Sequence, residues 1–292
     1  MRSGRYLILG ATGTLGSAMC KKLLQDEKTS LVRCLSRDEL KLSELERSFA
    51  DPRIETVIGD IREFESIYDA FDGIKTVFHF AALKRIPEMD RQPFECLKTN
   101  LEGTHNAALA ALNNDVEHFV FSSTDKACQP INTYGASKFL SEQMLFYMQK
   151  RNRTNFSIYR WANVISSRGA VVYAFKDAIE NGRPAFLTDE RMTRFWIKIE
   201  DAVDFVLKTY ETRSDTVKVP SFKAAKVTRL LDAIGRVMNK PVSYEVIGMR
   251  AAEKLHESMT YDRLTNETYN SETAEQYTDE ELDDLVHYIL NK

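Results

Sequence analysis

Short apolar, β-branched runs alternate with longer helical stretches through the first half of the chain. That alternation predicts an α/β fold: a doubly wound parallel sheet followed by a smaller C-terminal lobe. Two further observations agree. A glycine-rich turn follows the first strand directly, and the densest group of chemically useful side chains falls just after a later strand. Both are where such sheets bind ligands, at the carboxyl ends of strands.

The expected strands are Tyr6–Leu9, Leu31–Leu35, Ile54–Ile58, Thr76–Phe80, Phe119–Ser122 and Phe156–Tyr159. Each is short and bounded by turn formers or charge, as buried strands are. Between them, helices are expected at Leu15–Gln25, Asp38–Phe49, Phe64–Phe71, Phe94–Asn113 and Tyr134–Arg151. Beyond about residue 160 the rhythm loosens. Helices at Ala170–Asn181, Glu200–Tyr210 and Lys226–Met238 alternate with extended pieces at Ala185–Leu187, Arg194–Ile197 and Val217–Val219. A final helix is expected at Asp279–Leu290, after an acidic, polar stretch.

The composition is that of ordinary globular material: 292 residues, 43% hydrophobic, 28% charged, net charge −3. A near-neutral balance without a basic stripe argues against nucleic acid, and no apolar run approaches a membrane span. The N-terminus enters a strand without a signal-peptide pattern. Cys20, Cys34, Cys96 and Cys128 lack metal-like spacing and any disulfide framework, so no metal is expected and a reducing cytoplasm is the simplest home.

The turn Gly10-Ala11-Thr12-Gly13-Thr14-Leu15-Gly16 sits between the first strand and the first helix. In that context it points to a dinucleotide pyrophosphate, cradled by backbone amides at a helix N-terminus. Ser36-Arg37 ends the second strand; an arginine there suits a 2′-phosphate, so the expected cofactor is NADP. After the third strand, Asp60 and Ile61 fall beside the adenine, although Asp60 also reads as a helix cap. Ala81 and Ala82 are small where the backbone would pass the nicotinamide ribose, and Lys84 follows them.

Thr124, Asp125 and Lys126 follow the fifth strand, and Tyr134 and Lys138 lie four apart at the start of a helix. That spacing puts phenol and ammonium on one helical face. A neighbouring ammonium is expected to lower the phenol's pKa and make it a base near neutral pH.

In order along the chain, these motifs resemble the extended short-chain dehydrogenase/reductase superfamily. Within it they are similar to the soluble UDP-N-acetylglucosamine 4,6-dehydratases, by Ser123-Thr124-Asp125-Lys126-Ala127, Thr99-Asn100 and Thr193-Arg194-Phe195 above all. Tyr134, where retaining members usually carry methionine, points to the C5-inverting branch. The resemblance implies a Rossmann-like domain over residues 1–160, a nucleotide-sugar-binding lobe over 161–260 partly interleaved with the sheet, and an acidic extension over 261–292. It implies that Tyr134, Lys138 and Thr124 serve oxidation at C4 of a UDP-sugar, while Asp125, protonated, and Lys126 serve elimination. It adds Asn100 to the cofactor set and gives Lys84, Asn163, Arg168, Thr193, Arg194, Arg250 and Glu253 to the substrate, the arginines to its diphosphate. A homo-oligomer, dimer or higher, is expected too. A retaining dehydratase, a UDP-sugar C4-epimerase and a silent NADP-sensing regulator are the alternatives.

Overall fold

The structure, a computed structural model, describes residues 4–165, 170–250, 252–262, 264–265 and 267–290. Two compact units divide the chain: Met1–Arg160 with Val203–Val219, and Trp161–Ala202 with Pro220–Lys292.

In unit 1, the strands are β1 (Gly4–Leu9), β2 (Thr29–Ser36), β3 (Ile54–Ile58), β4 (Thr76–His79), β5 (His118–Thr124) and β6 (Asn155–Trp161). They form one sheet in the order β3-β2-β1-β4-β5-β6. From β3 to β5 each pairs in parallel with its neighbour. The order reverses between β1 and β4, which makes the carboxyl ends of those strands the ligand-binding crevice of this topology. Leu7, Ile8 and Leu9 are all fully buried, as expected of a strand covered on both faces.

The helices are α1 (Thr14–Leu24), α2 (Glu39–Phe49), α3 (Phe64–Tyr68), α4 (Ile86–Arg91), α5 (Pro93–Leu97), α6 (Gly103–Asn113) and α7 (Thr133–Gln149). One face of the sheet packs Phe119, Phe121 and Phe156 with Ile67 and Phe71 and the alanine stripe of α6. Asp38 is not in α2 but caps it, accepting from the Lys41 amide at 3.1 Å. The helix expected over Phe94–Asn113 breaks in three: α5, a π-helical turn over Lys98–Glu102, then α6. The widened turn holds Asn100, whose side chain is tied down from outside the helix, as described below. β4 ends at His79, one residue short of expectation, and α4 was not foreseen.

Unit 2 contains β7 (Asn163–Val164), α8 (Val171–Glu180), β8 (Ala185–Leu187), β9 (Thr193–Ile197), the first turn of α9 (Ile199–Thr209), β10 (Lys223–Lys226) and α10 (Val227–Met238). The short strands β11 (Tyr244–Val246), β12 (Ser258–Tyr261) and β13 (Thr268–Asn270) follow, and α11 (Asp279–Leu290) ends it. The strands form small sheets, β10-β9-β7, β11-β8 and β12-β13. Val217–Val219 is not a strand; Lys218 makes a single bridge to Tyr159 within unit 1.

The described residues beyond 260 do not form an extension set apart from the lobe. β13 pairs with β12, and Leu282, Leu285, Val286 and Ile289 of α11 are buried in one cluster with Leu230, Leu231 and Ile234 of α10. The acidic side chains lie on the outer face: Asp279 pairs with Arg229, and Asp283 with Arg236. The helix lies at its expected bounds, and its amphipathic face is what joins it to the lobe.

Candidate active site

The β1–α1 turn fits a pyrophosphate. Gly10 has φ +82°, and a Cβ there would meet the Ala81 amide nitrogen at 2.7 Å, so glycine is required both by backbone conformation and by the approach of the β4 loop. Gly13 caps α1 with no side-chain hydrogen bond, which leaves the first-turn amides to a ligand. Thr14 and Leu15 open the helix, Gly16 is buried beneath the turn, and the Thr12 and Ser36 hydroxyls lie 3.0 Å apart.

At the adenosine end, Asp60 does not stand open for a base. Arg62 forks onto it at 2.6 and 2.8 Å, and Arg37 lies 3.6 Å away. Burial would raise the Asp60 pKa, but the arginines outweigh it and hold the carboxyl below its usual range. Arg62, adjacent to a residue that sequence reasoning chose, was itself missed. Ile61 is a core residue; its carbonyl accepts from Asn106. Lys84 is exposed, past Ala81 and Ala82.

Asn100 is fully buried and engaged by protein groups. Its Oδ1 accepts from the Leu83 amide at 2.8 Å, and its Nδ2 donates to the Leu83 carbonyl at 2.9 Å and the Ser137 hydroxyl at 3.1 Å. The carbonyl of this π-turn residue accepts from Thr104 and Ser141. Asn100 therefore locks the β4 loop to α7, and its amide has little left for a cofactor.

The end of β5 carries the chemistry. The Thr124 hydroxyl donates to Asp125 Oδ1 at 2.8 Å, and Lys126 Nζ reaches the same oxygen at 3.0 Å. Asp125 is 2% exposed, and its Oδ2 is buried without a hydrogen-bond partner. An orphaned buried carboxylate oxygen is costly, and it leaves one acceptor at this strand end for a water or a ligand. Gly135 brings α7 onto this strand end: a Cβ there would lie 2.2 Å from the Lys126 carbonyl oxygen. Asn132 caps the helix through the Gly135 amide at 2.8 Å.

Tyr134 thereby lies beside Thr124 and Lys126. Burial pushes its phenol up to about 12, and the charge that acts against burial comes from Lys126, aided by a hydrogen bond with Thr124. Lys138 is not among the charges that act on the phenol in this arrangement. Lys138, 3% exposed, is itself pulled down by burial to about 7, and its ammonium lies 4.1 Å from the Phe121 ring centre. Behind it, His79 is held neutral by burial, at about 3. Ser123, Glu142 and Arg160 form a buried cluster on the same wall, which sequence reasoning missed. The available signal was periodicity: Glu142 continues the Tyr134–Lys138 spacing by one more turn.

Of the residues expected to meet a nucleotide sugar, Arg168 lies outside the described residues. Within unit 2, Asn163 donates to the Phe195 carbonyl at 3.1 Å. Arg194 donates to the carbonyls of Thr193, Leu255 and Lys254 at 2.7, 3.0 and 2.9 Å, with Glu257 at 3.7 Å. The Thr193 hydroxyl is bonded to His256 and to Ser271, each at 2.7 Å. Both side chains are thus engaged in pinning the 254–257 segment to β9. Arg250 is exposed in a turn closed by the Glu253 amide on its carbonyl at 3.1 Å.

No helix among the described residues is long and apolar enough to cross a membrane. The family model described as "polysaccharide biosynthesis protein" matches residues 6–279. The chain is 38% identical over 271 residues to the UDP-N-acetylglucosamine 4,6-dehydratase (inverting) of Campylobacter jejuni, spanning 91% of this chain and 80% of that one. It is 35% identical over 260 residues to the UDP-glucose 4-epimerase of Rickettsia rickettsii, spanning 87% and 76%. Among solved structures, Pen from Bacillus thuringiensis superposes with a TM-score of 0.89 at 28% identity, over 100% of this chain and 98% of that one. With the glycine turn, the strand-end acid and the tyrosine–lysine helix in place, the chain belongs to the extended short-chain dehydrogenase/reductase superfamily and, within it, to the nucleotide-sugar 4,6-dehydratase family of polysaccharide biosynthesis.

Proposed function

We propose that the protein is an NADP-dependent UDP-N-acetylglucosamine 4,6-dehydratase that inverts C5, giving UDP-2-acetamido-2,6-dideoxy-β-L-arabino-hex-4-ulose for surface polysaccharide or nonulosonic acid synthesis. One observation carries this reading: Asp125 and Lys126, bonded to each other, beside Thr124 and Tyr134 at one strand end. A C4-epimerase, the activity named for the Rickettsia relative, moves a hydride at C4 and has no use for an acid and an amine there.

The nicotinamide nucleotide, when bound, supplies a hydride acceptor that later returns the hydride. Its pyrophosphate fits the Gly10–Gly16 turn, and a 2′-phosphate fits Arg37, with Arg62 beside it. Tyr134, once ionised with Lys126 and Thr124 acting against its burial, takes the proton of the C4 hydroxyl as the phenolate, and Thr124 bonds that oxygen. Oxidation at C4 makes the C5 proton acidic, and a base near Lys126 removes it. Asp125 gives a proton to the C6 hydroxyl as it leaves; its unpartnered Oδ2 is the atom available for that contact. Acid and amine share a hydrogen bond, so their protons titrate as a pair. Lys126 then returns a proton to C5 from the opposite face.

Diphosphate contacts are assigned to Arg250 rather than Arg194, whose guanidinium is already engaged. Leu140 and Tyr147 on α7 and Phe94 on α5 are exposed apolar side chains that suit a homo-oligomer. Four free, buried cysteines suit a reducing cytoplasm.

The test is incubation with UDP-N-acetylglucosamine in deuterium oxide, followed by proton NMR. Loss of the C6 hydroxyl, deuterium at C5 and L-arabino coupling constants are expected. A D-xylo product throughout the time course would reassign the stereochemistry, and interconversion at C4 alone would reassign the reaction. Denatured protein is expected to release NADP; recovery of NAD alone would reassign the cofactor.

A further inference from the structure

One buried acid in unit 1 takes no part in the chemistry above. Glu142 lies on α7 one helical turn beyond Lys138 and two beyond Tyr134, at 0% exposure. Residues spaced by four share a helix face, with Cβ atoms ~5–6 Å apart. Its Oε1 accepts from the Ser123 hydroxyl at 2.5 Å and Arg160 Nε at 2.9 Å, and its Oε2 accepts from Arg160 Nη2 at 2.6 Å. Ser123 immediately precedes Thr124 on β5, and Arg160 belongs to β6. The carboxylate thus ties both strands to the helix that carries Tyr134 and Lys138.

The charges do not balance as a simple pair. Glu142 pairs directly with Arg160, while Lys138, one turn away on the same helix face, feels that carboxylate at longer range. Among the described residues, the other groups near Lys138 offer no second anion in the neutral range. Phe121 of β5 presents its ring, Cys96 of α5 a buried thiol, His79 of β4 a neutral imidazole, and Tyr134 a buried phenol. A purely structural ion pair would need only Arg160, and an apolar pair could replace it at little cost.

We propose that Glu142, held by Arg160 and Ser123, is a positioning residue that keeps Lys138 an ammonium beneath Tyr134 and fixes the strand end carrying Thr124. The Glu142 carboxylate is foremost among the groups that offset the burial of Lys138. Arg160 competes for the same carboxylate and limits the effect. This inference rests on the proposed reaction, with Lys138 supporting Tyr134 in the oxidation at C4 that the family resemblance implies.

The experiment follows Lys138 itself. The full-length protein is labelled with 13C at lysine Cε, and the Lys138 resonance is identified by its loss in Lys138→Arg. Its titration midpoint is expected to fall by about one pH unit or more in Glu142→Gln, a loss of ammonium of about fivefold at pH 7 that approaches tenfold well above it. It is expected to rise in Arg160→Met, which removes the competing cation. In Glu142→Gln, kcat toward UDP-N-acetylglucosamine at pH 7 should fall about fivefold with KM unchanged, in step with that loss of ammonium. Opposite movements in the two variants are not expected of a structural ion pair. An unmoved midpoint in Glu142→Gln overturns the proposal. Should that variant not fold, a midpoint in Arg160→Met that stays or falls overturns it equally. The titration needs no substrate, so absence of dehydration would count against the proposed reaction and leave this measurement to decide the role of Glu142.

Discussion

Asp125 in unit 1 and Arg194 in unit 2 are both charged residues in motifs that sequence reasoning assigned to the site, and the fold treats them in opposite ways. Asp125 is buried with one oxygen bonded to Thr124 and Lys126 and the other without a partner. Arg194 spends its guanidinium on three backbone carbonyls and lies near Glu257. The first keeps hydrogen-bonding capacity in reserve; the second spends it on holding a chain segment. What separates a ligand-binding group from a scaffold group is therefore the capacity left after folding, not the residue type or its place in a motif.

Three substitutions can break or sharpen that contrast. The largest effect is expected from Asp125→Asn, which keeps the shape of the side chain and removes the acid. Loss of the C6 hydroxyl should slow by ~10²–10⁴-fold with substrate affinity and melting temperature little changed. Tyr134→Phe should instead block oxidation at C4. Near-normal dehydration by Asp125→Asn would show that the reserved oxygen serves no chemistry.

Arg194→Ala should act on the fold. It strips the donors from three carbonyls and leaves Glu257 without its neighbouring cation, a loss of about 2–3 kcal/mol by the usual cost of unsatisfied buried groups. Chemical denaturation would register it as a lower midpoint with unchanged slope. Full stability with weakened nucleotide-sugar binding would return Arg194 to the diphosphate.

The smallest effect runs the other way. Burial pulls Lys138 from the ordinary lysine value, ~10.4, to about 7. Between those pH values the unfolded chain binds a proton that the folded chain does not, so stability rises with pH across the window. Below it the burial cost is fully present. Lys138→Met should therefore melt a few degrees above the parent protein at pH 6, with the gap closing toward pH 10, while catalysis is lost. A gap independent of pH would mean that burial does not govern this lysine.

Much of unit 1 was legible because its signals are local. The Gly10–Gly16 turn, the strand ending at Thr124 and the Tyr134–Lys138 spacing are each written within a few neighbouring residues. What stayed hidden depends on distant partners. The π-helical turn at Lys98–Glu102 goes with an Asn100 side chain bonded to Leu83 and Ser137, and no rule of helix propensity contains that. Arg194 looked like a phosphate ligand because the carbonyls that occupy it come from residues some sixty positions away. Asp60 was chosen and Arg62 passed over, although the two form one unit. Short strands such as β11, exposed along its whole length, carry no alternation of burial to read.

The place of α11 in the core of unit 2 bears on how the chain is made. Leu282, Leu285, Val286 and Ile289 fill the same cluster as α10, formed some fifty residues earlier. During synthesis, unit 1 has all its segments once residue 219 has emerged, whereas unit 2 waits for residue 290. At ordinary elongation rates of ~5–20 residues per second, the apolar faces of α8 and α10 stay uncovered for several seconds. The last helix thus acts as a closing latch, and a ribosome that stalls in the acidic stretch leaves unit 2 open to aggregation beside a unit 1 whose segments are already complete.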